Sequence, residues 1–83
     1  MLLKIYSVYD EKAGAYLPPF YMQNDAVAVR AFRNSVQDEE HNFHKNAEDY
    51  TLFRLGAWDD NTGETVEEIE AVASGRHLKG EIE

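Results

Sequence analysis

The adjacent prolines Pro18 and Pro19 interrupt an aromatic segment, "AYLPPFYMQ", whose Tyr and Phe residues otherwise favour a β-strand. Proline has no backbone N–H to donate, so a strand that contains it lies at a sheet edge or bulges there. The preceding segment, "LLKIYSVYD", is also rich in strand-forming residues, and "DEKAG" offers charge and glycine for a turn. These residues predict a hairpin whose second strand is an edge interrupted near its middle.

A helix is predicted directly after the hairpin. Asn24 is a preferred N-cap residue, and Asp25 in the first turn opposes the positive end of the helix dipole. At about 100° per residue, one face gathers the apolar side chains of the segment, which are Ala28, Val29, Phe32 and Val36. Arg30 lies on the opposite face, with Arg33 at its shoulder. We expect the apolar face to pack on the sheet.

The segment "QDEEHNFHKNAEDY" is polar and has no clear period, so it predicts a loop of about a dozen residues. The next segment, "YTLFRLGAWDD", is predicted to be a strand because it alternates. One side would carry Phe53, Leu55 and Ala57, and the other Leu52, Arg54 and Gly56.

The segment "TVEEIEAV", after the turn "DDNTGE", is ambiguous. Val66, Ile69 and Val72 repeat every three residues, which favours a helical turn, whereas the turn before them favours a hairpin partner. We interpret the segment as a strand that frays after Ile69.

The order strand, strand, helix, strand, strand predicts an α+β fold: a small antiparallel sheet of about four strands with one helix packed on one face. A chain of 83 residues can form one small core but not a deep enzyme cleft with its own lid. We therefore expect a single domain over residues 1–70. Residues 71–83, with two glycines and few apolar side chains, are expected to be an acidic, mobile C-terminal tail.

The net charge of −8 is concentrated in the C-terminal third, where residues 55–83 carry two Lys or Arg against eight Asp or Glu. Such a surface repels phosphate, so duplex binding by the monomer is disfavoured. There is no cysteine, which excludes disulfides and thiolate zinc sites and fits a reducing cytosol. No segment is apolar over the roughly 20 residues that a membrane span needs, and no signal peptide is recognised, so we expect a soluble chain.

Motifs for phosphate binding and for metal-dependent catalysis are absent from the sequence. His41 and His44 are three residues apart beside the acidic run "DEE", a spacing that would suit zinc on a helix. In a polar loop such histidines are more often solvated, and contiguous exposed acids do not form a dry acid–base pair. We therefore expect no metal site, no cofactor and no enzymatic activity.

Aromatic side chains concentrate on the first hairpin, where aromatic faces beside cations can stack single-stranded bases. A small domain also needs large side chains in its core, and we expect Tyr6 and Phe20 to serve there. Alternate strand residues cannot all face one surface, so core or dimer contact is favoured over base stacking. The candidate residues for nucleic-acid or partner binding are Lys4, Tyr6, Tyr9, Lys12, Tyr16, Tyr21, Arg30 and Arg33.

The stretches "KIYSVYDEKAGAYLPPFYMQNDAVAVRAF" and "FHKNAEDYTLFRLGAWDDNTGE" resemble the small nonstructural protein of gokushovirus-type microviruses, bacteriophages with small single-stranded DNA genomes. The resemblance covers about residues 4–65. It implies a non-virion protein of the host bacterial cytoplasm, sometimes labelled DNA-binding, that acts when the phage shifts from genome replication to packaging. It implies no catalytic residue.

Two functions stay open at this point. The first is an interaction module in phage DNA replication or packaging that contacts the replication initiator, the procapsid or a host replication protein, with the acidic third steering it to a basic partner. The second is a single-stranded DNA-binding protein that uses the aromatic hairpin and the basic edge of the helix. In both cases we expect a homodimer, because one helix covers only one face of the sheet.

Overall fold

The computed structural model describes residues 1–80, and residues 81–83 lie outside the described part. The elements in chain order are β1 (Leu2–Asp10), β2 (Ala15–Tyr16), β3 (Phe20–Met22), α1 (Asp25–Gln37), α2 (Asn42–Lys45), a 3-10 turn (Ala47–Asp49), β4 (Tyr50–Asp59), β5 (Thr65–Ser74) and α3 (Gly75–Gly80). All strand pairs are antiparallel, in the order β2-β1-β4-β5, with β3 also paired to β1. The predicted α+β fold is confirmed, with five strands and additional short helices.

The prolines divide the second strand of the hairpin into β2 and β3. Tyr16 pairs with Tyr9 and Phe20 pairs with Tyr6, so both short strands follow β1 on either side of the proline pair. Between them the chain covers Ser7, whose Oγ donates to the carbonyl of Leu17 at 2.5 Å. The prediction of an interrupted edge strand is confirmed.

Helix α1 begins and packs as its sequence predicts. The side chain of Asn24 accepts from the backbone N–H of Val27 at 3.0 Å, which satisfies one of the free donors of the first turn. The buried side chains of α1 are Ala28, Phe32 and Val36. They meet the buried residues Tyr6, Val8 and Leu52 of the sheet, and these six side chains form most of the core.

The segment between α1 and β4 is folded rather than a plain loop. It contains α2 and the 3-10 turn, and Ala47 is buried in the core. The ring of Phe43 lies 5.6 Å from that of Phe32 and 4.6 Å from that of Tyr50. The elements are too short to show a period, which is why the sequence predicted only a loop.

The C-terminal prediction needs correction for residues 71–80. Strand β5 continues to Ser74 instead of fraying after Ile69, and α3 follows it at once. Leu78 is only 2% exposed and belongs to the core, so the domain does not end at residue 70. The chain passes close to the 3-10 turn at Gly75, where a Cβ would lie 2.3 Å from the carbonyl oxygen of Ala47. One buried leucine in a polar segment was too weak a signal to predict this docking.

Strand β4 changes face at a bulge. The register with β1 shifts where Leu55 has no partner, and Gly56 has a φ of 157°. A Cβ at position 56 would lie 1.9 Å from the carbonyl oxygen of Val66, so only glycine fits there. Leu55 stays on the side of Phe53, but Ala57 lies beside Arg54 on the opposite side. The predicted alternation was therefore right up to Leu55 and wrong beyond it.

A chain of hydrogen bonds joins the start of α1 to the sheet. The hydroxyl of Tyr6 donates to Asp25 at 2.5 Å, and Arg54 donates to the other oxygen of that carboxylate at 2.5 Å and to Glu70 at 2.6 Å. The hydrogen bond from Tyr6, followed by that from Arg54, holds the pKa of Asp25 below its usual value. Burial and the same bond raise the pKa of Tyr6.

Replacing Phe32, which is 3% exposed, by alanine should lower the free energy of unfolding by about 3–5 kcal/mol, because a cavity opens in the core. Arg30→Ala on the exposed side of α1 is the control and should change it by less than about 0.5 kcal/mol. Thermal melts followed by circular dichroism compare the two variants. Equal losses would mean that Arg30 is a structural residue.

Asp25→Asn should cost about 1 kcal/mol at neutral pH, a modest value because the Asp25 side chain is 39% exposed. A carboxyl group whose pKa is lower in the folded than in the unfolded chain stabilises the fold when the pH is above its unfolded pKa of 3.8. This contribution disappears as the pH falls through the pKa of the folded state. The stability difference between parent and variant should therefore be constant above about pH 5 and shrink below 3.8. Urea unfolding at several pH values measures it, and a difference independent of pH would contradict the assignment.

Candidate interaction surface

The sheet face opposite α1 is not covered by a helix in residues 1–80. Side chains on this face alternate along β1 with the core residues Tyr6 and Val8, and strand pairing carries the alternation across the sheet. We call this surface the open face. Its large side chains are Tyr9, Tyr16, Leu17, Tyr21, Phe53, Leu55, Trp58 and Ile69.

Aromatic rings occupy both ends of the open face. At one end Tyr9, Tyr16 and Phe53 form a triangle, with ring centroids 4.8 Å, 5.6 Å and 6.2 Å apart in edge-to-face geometry. At the other end the rings of Tyr21 and Trp58 are 5.6 Å apart. Two rings in edge-to-face contact attract each other, so both clusters are already formed in the monomer.

A groove of about 660 Å³ lies between the aromatic clusters. Tyr16 and the segment Leu17–Pro19 line one part of it, Leu55 and Ile69 line another, and among residues 1–80 Glu67 is the charged residue in its lining. Several side chains of the open face are strongly exposed for their type: Tyr16 at 44%, Leu17 at 36%, Tyr21 at 51% and Ile69 at 55%. The open face thus presents exposed apolar and aromatic side chains around a groove.

The predicted cations do not surround the predicted tyrosines. Lys4 lies beside Arg54 on the helix side of the sheet, Arg30 is exposed on α1, and Arg33 is half-buried on α1. Lys12 lies in the exposed turn between β1 and β2, next to the pair of Tyr9 and Tyr16.

The structure brings Tyr9, Tyr16 and Tyr21 together on the open face and places Tyr6 in the core, fully buried. The expected core role of Tyr6 is confirmed. Phe20 is half-buried against the core and stacks on Tyr6 at 5.9 Å.

Five members of the open face were missed as site residues in the sequence: Leu17, Phe53, Leu55, Trp58 and Ile69. The alternation of Phe53 and Leu55 was recognised, but alternation alone does not say which side the helix covers. Trp58 reaches this face only because of the bulge at Gly56. A surface residue of this kind becomes recognisable only after the layers of the fold are known.

The outer edge of β5 is the acidic border of the open face. Every residue from Thr65 to Ala71 is exposed, and in residues 1–80 β5 pairs only with β4. The strand carries Glu67, Glu68 and Glu70, with no lysine or arginine between Thr65 and Ser74. Glu67 lies on the open face, and Glu68 and Glu70 lie on the helix side.

The histidines that raised the question of a metal have structural contacts. Nδ1 of His41 accepts from the backbone N–H of Phe43 at 3.0 Å, and Nδ1 of His44 lies 2.8 Å from the carbonyl oxygen of Val36. Across residues 1–80, no three His, Cys, Asp or Glu side chains gather as a metal site would require. In the same residues, no helix has the length and apolar character to cross a membrane.

Comparison with known proteins gives one finding. A family model described as "Phage ORF5 protein" matches residues 3–78, which include the open face and β5. No curated protein matches, and no solved structure does.

Proposed function

This chain belongs to the phage ORF5 protein family, and on that premise we propose that it is a nonstructural, non-enzymatic interaction module in viral DNA replication or in the switch to genome packaging. It acts in the cytoplasm of the host bacterium through protein partners. Within the family, we propose that it belongs to the gokushovirus-type microviruses, a proposal that the resemblance of the sequence stretches quoted above supports. The observation that carries the proposal is the uncovered apolar face of the sheet.

A second copy of the chain is the first occupant of the open face. Soluble monomers rarely expose a contiguous apolar surface of this kind, and a two-fold dimer buries the same surface on both chains. Two sheets can pack face to face at about 10 Å, with side chains of each filling the spaces of the other. The groove beside Leu17 and Ile69 offers such a space, and the charge of Glu67 at its side must be kept near water.

The heterologous partner binds elsewhere, at the acidic third of the chain. Electrostatic complementarity steers association and excludes partners of like charge, so this partner presents a basic surface. Its candidates are the phage replication initiator, the procapsid and a host replication protein. The dimer would then present two acidic borders to one such partner.

Single-stranded DNA binding is the alternative, and the exposure of Tyr16 and Tyr21 on one face is the observation that favours it. Its electrostatic requirement is poorly met, because Lys4, Arg30 and Arg33 lie on the helix side and only Lys12 lies near the tyrosines. A strand stacked on the open face would therefore run along Glu67 rather than along a basic groove.

Leu17→Lys should convert the dimer into a monomer, because it places a charge in the groove. Val27→Lys is the matched control, because it adds the same charge on α1, away from the open face. The exposed fractions of the two residues are similar, 37% for Val27 and 36% for Leu17. Light scattering at micromolar concentration should give two chains' mass for the parent and the control and one chain's mass for Leu17→Lys. A parent with the mass of one chain would overturn the dimer.

Binding to the replication initiator or to procapsids of the same phage should be measurable in co-sedimentation, while labelled single-stranded DNA of about 16 nucleotides should bind weakly in fluorescence anisotropy. A salt series separates the two functions, because DNA affinity must fall steeply with ionic strength. Tight, salt-steep DNA binding that is lost in an Arg30→Ala, Arg33→Ala double variant would instead support the alternative. Absence of binding to the initiator, the procapsid and host replication proteins would contradict the proposed function.

A further inference from the structure

The two outer edges of the sheet differ in their capacity to accept another strand. The β2–β3 edge is divided at Pro18 and Pro19, and these residues have no N–H to offer a neighbour. The β5 edge is ten residues long and contains no proline. In the part of the chain that the structure describes, β5 pairs with β4 alone, with two shifts of register, and every residue from Thr65 to Ala71 is exposed, so the outward N–H and C=O groups of this stretch face solvent. Strand addition is therefore possible at β5 and obstructed at the opposite edge.

The charge of β5 restricts what can be added. A second copy pairing antiparallel about Ile69 would place Glu68 of one chain opposite Glu70 of the other, and like charges directly opposite are destabilising. Arg54 already binds Glu70. Glu67 lies on the open face and Glu68 on the helix side, so both faces of the strand carry a negative charge near Ile69. The edge is therefore unfavourable for self-pairing and favourable for a basic strand.

We infer that β5 binds an extended, lysine- or arginine-rich segment of a partner protein as an additional strand of the sheet. The inference rests on the proposed function and specifies the partner's chemistry. Backbone hydrogen bonds to the free edge give affinity, and alternate side chains give specificity, as in other cases of strand addition.

The alternation of β5 also defines a pattern for the bound segment. A residue opposite Ile69 points to the open face, beside the Ile69 side chain, and is apolar. Its two neighbours are basic, because they lie next to Glu68 on the helix side, and Glu67 adds further negative charge at the same edge. The segment therefore has basic residues around a central apolar one.

The probe is a fluorescent peptide as long as β5 in which lysine and valine alternate. Fluorescence anisotropy should show binding to the full chain, weakened about three- to tenfold by the double variant Glu67→Gln, Glu68→Gln. Glu39→Gln, Glu40→Gln is the matched control, because it removes the same charge at exposed positions after α1 and should bind like the parent. Amide hydrogen exchange followed by NMR should slow along β5 and not along β2 or β3.

Two further peptides separate strand addition from charge attraction. The same peptide with the backbone N-methylated at a central valine and at the adjacent lysine keeps the charges but loses an N–H donor on each side of the strand, so it should bind at least tenfold more weakly. A glutamate–valine peptide should not bind. Equal binding of the N-methylated peptide, equal loss in the two glutamine variants, or protection outside β5 would each overturn the inference.

Failure of the strand-addition inference can be distinguished from failure of the proposed function. If the lysine peptide does not bind β5 but the initiator or procapsid still binds the chain, the inference is wrong and the function stands. If the peptide binds β5 but no phage or host replication protein does, the docking edge stands and the proposed function is wrong.

Discussion

The packing of α1 against one face of the sheet is the interaction on which the rest of the structure depends. Phe32 and Val36 meet Tyr6 and Leu52 there, while Asp25 fixes the start of the helix through Tyr6 and Arg54. The short C-terminal helix α3 contributes Leu78 to the same core instead of covering the other face. All the described helices are thus on one side of the sheet, which leaves the other face to a partner or to solvent.

The prediction from sequence succeeded where a local rule determines the structure. Asn24 caps a helix because its side chain can accept the Val27 N–H, and the prolines interrupt an edge because they lack a donor. It failed where a single contact determines the structure, as with Leu78 at the C-terminus and the close approach of Gly56 to Val66. Of the candidate site, the hairpin tyrosines were found, but their partners on β4 and β5 required knowledge of which face the helix covers.

The aromatic and acidic surfaces of this chain are neighbours with different chemistry. The open face offers dispersion and hydrophobic contact, which favour an apolar, self-complementary partner. The β5 edge offers directed hydrogen bonds in a negative field, which favour a basic and extended partner. Ile69 and Glu67 belong to both surfaces, so occupation of one changes the environment of the other. The proposed dimer contact and the proposed heterologous contact would therefore lie within one strand of each other.

The glutamates of β5 have a second consequence, which concerns aggregation when the protein is abundant. An exposed strand with apolar residues such as Val66 and Ile69 is the kind of template on which chains stack into fibrils. Charges on such an edge act as gatekeepers, because each added copy would bring more glutamates into the growing ladder. The edge of β5 can therefore stay unpaired at high protein concentration without stacking into fibrils. A basic partner segment would neutralise the glutamates and allow pairing at this edge.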